Sequence, residues 1–157
     1  MNKTANNSEV GTVTKLGPIT VTKEEIIEFA EEFDPVPFHL DEEAALKTPL
    51  KGLCASGWHT CSLAMRMMCD ASLGADSGSQ GSPGMEDCKW LMPVRPDDEL
   101  SGTSTILSAR QSGSRPEIRV VRNLVEIFNQ NQETVLSMIT IGLFLTSRDK
   151  NDEGAKS

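Results

Sequence analysis

Residues 57–73 constrain the fold of this 157-residue chain more than any other stretch. They are apolar at most positions, and the only charged residues among them are Arg66 and Asp70. A surface helix carries one apolar stripe, whereas a helix that is apolar on nearly all its faces has to be enclosed by other elements. Ser56 can cap this helix, and Arg66 and Asp70 form an i,i+4 pair that we interpret as structural. We therefore predict one largely buried helix with a sheet wrapped around it.

The sheet is predicted by β-rich runs elsewhere in the chain. Three long runs follow the apolar helix, at residues 100–112, 117–128 and 134–147. The polar residues 129–133 join the last two runs, which favours a β-hairpin. Residues 87–94 predict a shorter strand, and residues 11–21 predict a strand or two at the start. Long antiparallel strands around one helix indicate the α+β class, with the helices segregated from the sheet.

Two short helices are predicted before the apolar one. Thr22 and Glu25 have the spacing of a capping box, and the helix that they begin should end at Asp34, which precedes a proline. Asp41 can cap a second short helix over residues 42–46. These signals place Asp34 and Asp41 at helix boundaries, on either side of a short connector.

The remaining segments carry weaker signals. Residues 74–84 are rich in Gly and Ser but lack a preceding strand and the Lys-Ser/Thr of a phosphate loop, so we interpret them as a flexible linker or pocket rim. We predict a disordered lead at residues 1–10, a single domain over residues 11–147 and a charged tail at residues 148–157.

Composition limits the classes of function. The formal net charge is −8, and no basic stripe appears, which argues against a nucleic-acid partner. No apolar run is long enough to span a bilayer, and the polar N-terminus shows no secretory signal, so we expect a cytoplasmic protein without a membrane partner. The cysteines lack CxxC spacing, and we interpret them as buried free thiols and not as disulfides or a metal site: Cys54, Cys61, Cys69 and Cys88.

The connector at residues 34–39 places a carboxylate and an imidazole five positions apart, with Pro35 and Pro37 between them. Proline restricts its own φ and disfavours the helical region for the residue before it, so Asp34 and Val36 should be extended and the connector stiff and irregular. A carboxylate and an imidazole that share a water can move protons near neutral pH. On spacing alone, Asp34 as a helix end and His39 as a polar loop residue remain an open alternative.

The residues Asp34-x-x-Pro37-x-His39 resemble the hydratase motif of MaoC-like dehydratases and (R)-specific enoyl-CoA hydratases, in which Asp-x-Asn-Pro-x-His is usual. Three further stretches are similar to the same family, at residues 53–60, 90–96 and 128–130. The resemblance covers about residues 11–147 and implies a single hot-dog fold, in agreement with a helix inside a sheet. Val36 departs from the motif because it replaces the usual Asn and removes the hydrogen bond which that Asn would make.

The resemblance also implies an activity. The family's reaction is the addition of water to a trans-2-enoyl thioester, or its removal from an (R)-3-hydroxyacyl thioester, with CoA as part of the substrate and no separate cofactor. It implies Asp34 as the main base, with His39 sharing or exchanging that role. It further implies that the backbone N–H of Gly57 stabilises the thioester oxygen, and a glycine there lets the substrate approach the backbone closely.

Two other functions stay open. A hot-dog thioesterase would direct a carboxylate or a water at the carbonyl carbon, but the paired Asp34 and His39 fit alkene hydration better. A non-catalytic acyl-CoA-binding protein is the third possibility, and Val36 is its only support. We interpret His59 as a polar core residue. Five arginines are candidates for the CoA phosphates, with none singled out: Arg95, Arg110, Arg115, Arg119 and Arg122.

The expected partners are an acyl-CoA substrate and a second copy of the chain. One hot-dog unit leaves sheet edges open and supplies half of the usual ligand cleft. We therefore expect a homodimer or a higher homo-oligomer with two-fold symmetry, with CoA near the interface.

Overall fold

The computed structural model describes residues 9–146. The described elements, in chain order, are β1 (Val13–Thr20), α1 (Lys23–Phe33), α2 (Pro37–Leu40), α3 (Glu42–Leu46), α4 (Gly57–Ala71), β2 (Ser79–Trp90), β3 (Glu99–Gln111), β4 (Ile118–Phe128) and β5 (Thr134–Leu145). The predicted tail and most of the predicted lead lie outside the described residues, and the domain limits stay a prediction.

The strands form one antiparallel sheet in the order β1-β3-β4-β5-β2. The predicted hairpin is confirmed: β4 pairs with β5 from Ile118 opposite Leu145 to Phe128 opposite Thr134. Asn129 stabilises its turn, because the side-chain oxygen accepts from the backbone N–H of Glu133 at 3.1 Å. The α+β class and the antiparallel sheet around a central helix are thus confirmed.

The helix α4 packs one of its faces into the core. Ser56 is its N-cap, as predicted. The buried residues of α4 follow a helical spacing and are His59, Thr60, Ala64, Met67 and Met68. Trp58 and Met65 lie outside this buried face and are 58% and 47% exposed. The prediction of a largely buried helix is therefore right for one face and wrong for the rest, because a single protomer leaves part of α4 uncovered.

The core joins α1, α4 and the sheet. Its buried members include Ile26 from α1, Ala64 and Met67 from α4, Val125 from β4 and Leu136 from β5. The larger of these side chains, Ile, Met, Val and Leu, each contribute about 1.5–3 kcal/mol when fully buried. The packing fixes α1 against the start of α4, and this contact positions the segment between them.

The predicted boundaries of the short helices are confirmed. The hydroxyl of Thr22 accepts from the Glu25 N–H at 3.2 Å, and the Glu25 carboxylate accepts from the Thr22 N–H at 2.8 Å. A carboxylate oxygen of Asp41 accepts from the Ala44 N–H at 2.9 Å and caps α3. Within residues 9–146, no helix is long and apolar enough to cross a membrane.

The connector is less irregular than predicted. Asp34 and Val36 are non-helical, with φ of −151° and −87°, in agreement with the prediction for residues that precede proline. The chain then makes one helical turn, α2, with Pro37 at its first position. The prediction of an irregular segment was wrong there, because the fixed φ of proline suits the first turn of a helix, where its missing N–H is not needed.

For residues 74–84 the linker interpretation is wrong in the second half, whereas the pocket-rim alternative is confirmed, because Ser79, Gly81 and Gly84 line a cavity. Residues from Ser79 onward belong to β2, which pairs with β5 at the edge of the sheet. The pairing register shifts near Gly81 and Gly84, whose φ values of +110° and +153° suit glycine. The sequence signal fails because the long partner strand β5, and not the strand propensity of Ser and Gly, holds β2 in place.

The cysteines differ in exposure more than expected. Cys54 is buried, Cys61 and Cys88 are half-buried, and Cys69 is exposed. The prediction that all four are buried was therefore wrong for Cys69, which is exposed near the end of α4.

Candidate functional site

The turn of α2 brings His39 back toward Asp34. Asp34 follows α1 directly, and its N–H donates to the Ala30 carbonyl at 2.9 Å. The Nε2 atom of His39 lies 3.5 Å from Oδ2 of Asp34. The two side chains are 9% and 26% exposed, so the imidazole is enclosed and the carboxylate remains accessible to solvent. The structure thus brings together the two side chains that the sequence singled out.

A hydrogen bond on the far side of the ring indicates the tautomer of His39. Its Nδ1 atom is 2.6 Å from the carbonyl oxygen of Cys54. A carbonyl oxygen only accepts, so Nδ1 carries a proton and donates it. In the neutral imidazole, Nε2 is then an unprotonated acceptor that faces the Asp34 carboxylate. Two acceptors at this distance can each receive one hydrogen of a shared water, with hydrogen bonds of about 2.8 Å.

Ser56 contacts the same carboxylate. Its hydroxyl donates to Oδ2 of Asp34 at 2.7 Å and accepts from the Trp58 N–H at 3.3 Å. Ser56 is completely buried. One side chain therefore caps α4 and orients Asp34. Sequence reasoning identified only the capping role, because nothing local connects positions 34 and 56. The available signal was that Ser56 immediately precedes Gly57 within a stretch similar to the family.

Gly57 occupies the first position of α4. First-turn N–H groups have no acceptor within their own helix, so the Gly57 N–H is a candidate donor to a ligand. Glycine is required because a Cβ atom there would lie 2.4 Å from Cε2 of Trp90. Trp58 packs edge-on against the same indole, with ring centroids 5.4 Å apart. Gly57 is also connected to Asp34, because its neighbour Ser56 donates a hydrogen bond to that carboxylate.

An apolar cavity of about 460 Å³ lies farther along α4, between this helix and the sheet. Its lining includes Cys61, Met65, Met68, Met138 and Phe144. Cys61 is four residues, or about one helical turn, beyond Gly57, which is about 6 Å along the axis. Asp34, His39 and Gly57 do not line this cavity.

Arg95 holds the loop that precedes α4. Its guanidinium donates to the carbonyl oxygens of Gly52, at 2.7 Å, and of Leu50. The carbonyl of Cys54, two residues after Gly52, accepts a hydrogen bond from His39. Arg95 therefore helps to position the carbonyl that binds His39. Among the five candidate arginines, Arg95 is therefore structural. Arg122 is engaged as well, in an ion pair with Glu86 at 2.5 Å on the exposed face of the sheet.

Two other sequence interpretations are confirmed. His59 is 6% exposed and stacks on Phe29, with ring centroids 4.6 Å apart and a 6° angle between the rings. Burial lowers its pKa, although the charge of Glu25 opposes this effect. Arg66 and Asp70 form an exposed ion pair at 3.1 Å. All three residues are structural in this geometry, and none contacts Asp34 through a described hydrogen bond.

Comparisons with known proteins agree on one family. The family model of the MaoC-like domain matches residues 5–127. The uncharacterized protein YdeM of Bacillus subtilis is 32% identical over 126 residues, which are 80% of this chain and 87% of that protein. The crystal structure of a MaoC-like dehydratase from Rhodospirillum rubrum is similar, with a TM-score of 0.85, 35% identity and coverage of 92% of this chain and 98% of that one.

A further solved structure has a similar fold. The R-hydratase PhaJ1 from Pseudomonas aeruginosa has a TM-score of 0.69 at 21% identity, with coverage of 90% of this chain and 84% of that one. At this level of identity, the likeness shows the shared hot-dog fold. The antiparallel sheet and central helix described above are therefore those of a hot-dog protein.

Proposed function

The chain belongs to the MaoC-like family of hydratases and dehydratases, and from that premise we propose that it adds water to a trans-2-enoyl thioester or removes water from an (R)-3-hydroxyacyl thioester. The observation that carries the proposal is the distance of 3.5 Å between Asp34 Oδ2 and His39 Nε2, with both atoms available as acceptors. We take CoA to be part of the substrate, and the proposed reaction needs no separate cofactor.

In the hydration direction, one water donates its two hydrogens to Asp34 and His39. Asp34 removes one proton while the water oxygen bonds to Cβ, and the second hydrogen stays on the new hydroxyl group. The abstracted proton is then delivered to Cα from Asp34 or through His39. Dehydration uses the same groups in reverse. Positioned acid–base groups of this kind typically contribute about 10²–10⁴-fold to the rate.

The thioester oxygen gains negative charge as the enolate forms, and the Gly57 N–H is the proposed donor to it. Two features support this role: the N–H lies at the positive end of α4, and Ser56 links Gly57 to the carboxylate. Loss of such a donor typically costs about 3–4 kcal/mol of transition-state stabilisation. The apolar cavity that starts at Cys61 is a suitable place for the acyl chain, since it begins one turn beyond this donor.

A homodimer completes the proposed site. β2 is an edge strand, and large apolar side chains near it are exposed, among them Trp58, Met85, Trp90 and Leu91 at 46–58%. An open edge flanked by apolar side chains is a surface that proteins usually cover. We propose that a second copy covers it through two-fold symmetry, which would add the other half of the cleft beside Asp34 and His39.

One assay tests the proposal against the alternatives. Purified protein is incubated with crotonyl-CoA while enoyl absorbance and free thiol are both recorded. Loss of enoyl absorbance without thiol release supports a hydratase. Thiol release would indicate a thioesterase, and no change in either signal, for crotonyl-CoA and for longer enoyl-CoA substrates, would indicate a binding protein.

A further inference from the structure

A pair of thiols connects α4 to β2 next to the candidate site. The Sγ atoms of Cys61 and Cys88 are 3.8 Å apart. This distance corresponds to contact between the two sulfurs, with no atom between them. Both side chains are half-buried and pack against the main core. Packing alone accounts for one buried thiol, but two sulfurs in contact across different elements also form a chemical site.

The contact depends on an irregularity in β2. Met85 lines the cavity and so faces α4, whereas Glu86 points to the opposite face and pairs with Arg122. The register then shifts between Glu86 and Lys89, where Asp87 has a φ of +48°. The extra residue turns Cys88 back toward α4. A bulge thus places its thiol against Cys61.

We propose that Cys61 and Cys88 are a reversible oxidation site, which a hydroperoxide converts into a disulfide that fixes α4 to β2. The Cys61 sulfur attacks the peroxide, the O–O bond breaks, and an alcohol or water leaves, so that Cys61 becomes a sulfenic acid. The Cys88 sulfur then attacks the Cys61 sulfur, the S–S bond forms, and the hydroxyl group leaves as water with the proton of Cys88. Two electrons pass from the two thiols to the peroxide.

The order of the two steps follows from the surroundings of each sulfur. Cys61 borders the cavity, so a small oxidant can reach it. Burial, together with the neighbouring Cys61, raises the pKa of the Cys88 thiol to about 11. Cys88 therefore stays protonated at neutral pH, and Cys61 is the thiol that meets the oxidant first.

The bond would change the start of α4. Bonded sulfurs lie about 2.05 Å apart, so the Sγ atoms of Cys61 and Cys88 must come closer together than 3.8 Å. The Gly57–Trp90 contact lies one helical turn away along α4 and two residues away along β2. The two residues are tightly packed, because the Trp90 indole already occupies the space that a Cβ atom of residue 57 would fill. We therefore expect the cross-link at Cys61 to shift either Trp90 or the first turn of α4.

The consequence for catalysis rests on the proposed function. A displaced first turn moves the Gly57 N–H and the Ser56 hydroxyl relative to Asp34. Misplacement of catalytic groups by about 1 Å can lower a rate by about 10²-fold, so we expect the oxidised protein to hydrate its substrate at least about tenfold more slowly.

The test uses the full chain with Cys69→Ser, which removes the exposed thiol. The protein is treated with hydrogen peroxide, the remaining thiols are alkylated, and peptides are analysed by mass spectrometry. We expect a peptide pair linked through Cys61 and Cys88, about 2 Da lighter than the two free peptides and released by dithiothreitol. Cys88→Ser in the same background should abolish the link and leave Cys61 as a sulfenic acid that dimedone captures.

Tryptophan fluorescence supplies a readout that does not depend on activity, because the two tryptophans of the chain, Trp58 and Trp90, both lie at this contact. The fluorescence should change on oxidation, recover on reduction and stay constant in the Cys88→Ser variant. If the reduced protein hydrates no enoyl-CoA, the proposed function fails, while the linked peptide and the fluorescence still decide the present proposal. Full alkylation of Cys61 and Cys88 after peroxide treatment, or a link to Cys54 instead, would overturn it.

Discussion

The hydroxyl of Ser56 donates to the carboxylate of Asp34 at 2.7 Å, across 22 positions of sequence. The bond connects the end of α1 to the start of α4, and it orients the oxygen that faces His39. Because Ser56 is also the N-cap, the geometry of the carboxylate is coupled to the position of the first helical amides.

Removal of the Ser56 hydroxyl should affect catalysis more than folding. A hydrogen bond to a charged group is worth about 1.5–3 kcal/mol, so Ser56→Ala should lower the hydration rate about 10- to 100-fold. Loss of the cap should also reduce the free energy of unfolding by about 0.5–2 kcal/mol. The matched control is Ser56→Gly, since glycine is nearly as good an N-cap. Full activity in Ser56→Gly would show that the serine only caps the helix.

A side chain at position 57 should strain the contact with Trp90. In Gly57→Ala the new Cβ atom would fall 2.4 Å from Cε2 of Trp90, so the ring or the helix must move. Overpacking of this kind costs about 1–3 kcal/mol, measurable by urea denaturation. Gly113→Ala is the control, because a Cβ atom there meets nothing within 4 Å. Trp90→Leu should restore stability to Gly57→Ala, and equal losses with and without the indole would contradict this explanation.

The stability of the protein should depend on pH through His59. Burial lowers the pKa of His59 in the folded state, while the unfolded value stays near 6.5. Below pH 6.5 the unfolded chain therefore takes up a proton that the folded chain resists, so stability is full above that pH and declines as the pH falls. In His59→Leu, the free energy of unfolding measured with urea should change less between about pH 7.5 and 5.5 than it does in the unaltered protein.

The chain has only one other histidine, which supplies the control for that experiment. His39→Asn should retain the decline in stability with falling pH. An unchanged pH dependence in His59→Leu would show that protonation of His59 is not responsible.

The proposed dimer should involve the β2 edge of the sheet. Light scattering at micromolar concentration should give twice the mass of one chain. Leu91→Lys places a charge among the exposed apolar residues beside the end of β2 and should shift the protein toward monomer. Val13→Lys is the matched control, since Val13 is exposed on β1 at the opposite edge. A monomer mass for the unaltered protein would contradict the dimer.

Local signals predicted much of this fold. Three features follow from short stretches of sequence, and the structure confirms them: the capping box at Thr22 and Glu25, the cap at Asp41 and the β4–β5 hairpin. β2 was only partly predicted, because Ser79 to Gly84 have poor strand propensity and are held by pairing with β5. The exposed face of α4 was missed because an apolar sequence does not tell which partner covers it.

The candidate site was predictable in its residues but not in its connections. The prolines and the family motif singled out Asp34 and His39, and the structure places them 3.5 Å apart. The bonds from Ser56 to Asp34 and from His39 to the Cys54 carbonyl join residues 22 and 15 positions apart. Contacts of this range depend on tertiary packing, so no local pattern reveals them.

The central claim is that Asp34 and His39 act on one water, and hydration of crotonyl-CoA by single and double variants tests it most directly. Asp34→Asn and His39→Ala should each lower the hydration rate by at least about two decades while the unfolding transition stays cooperative. The double variant should lose far less than the product of the two single losses, because both groups serve the same step. Near-normal hydration by both single variants would contradict the claim and make the pair structural.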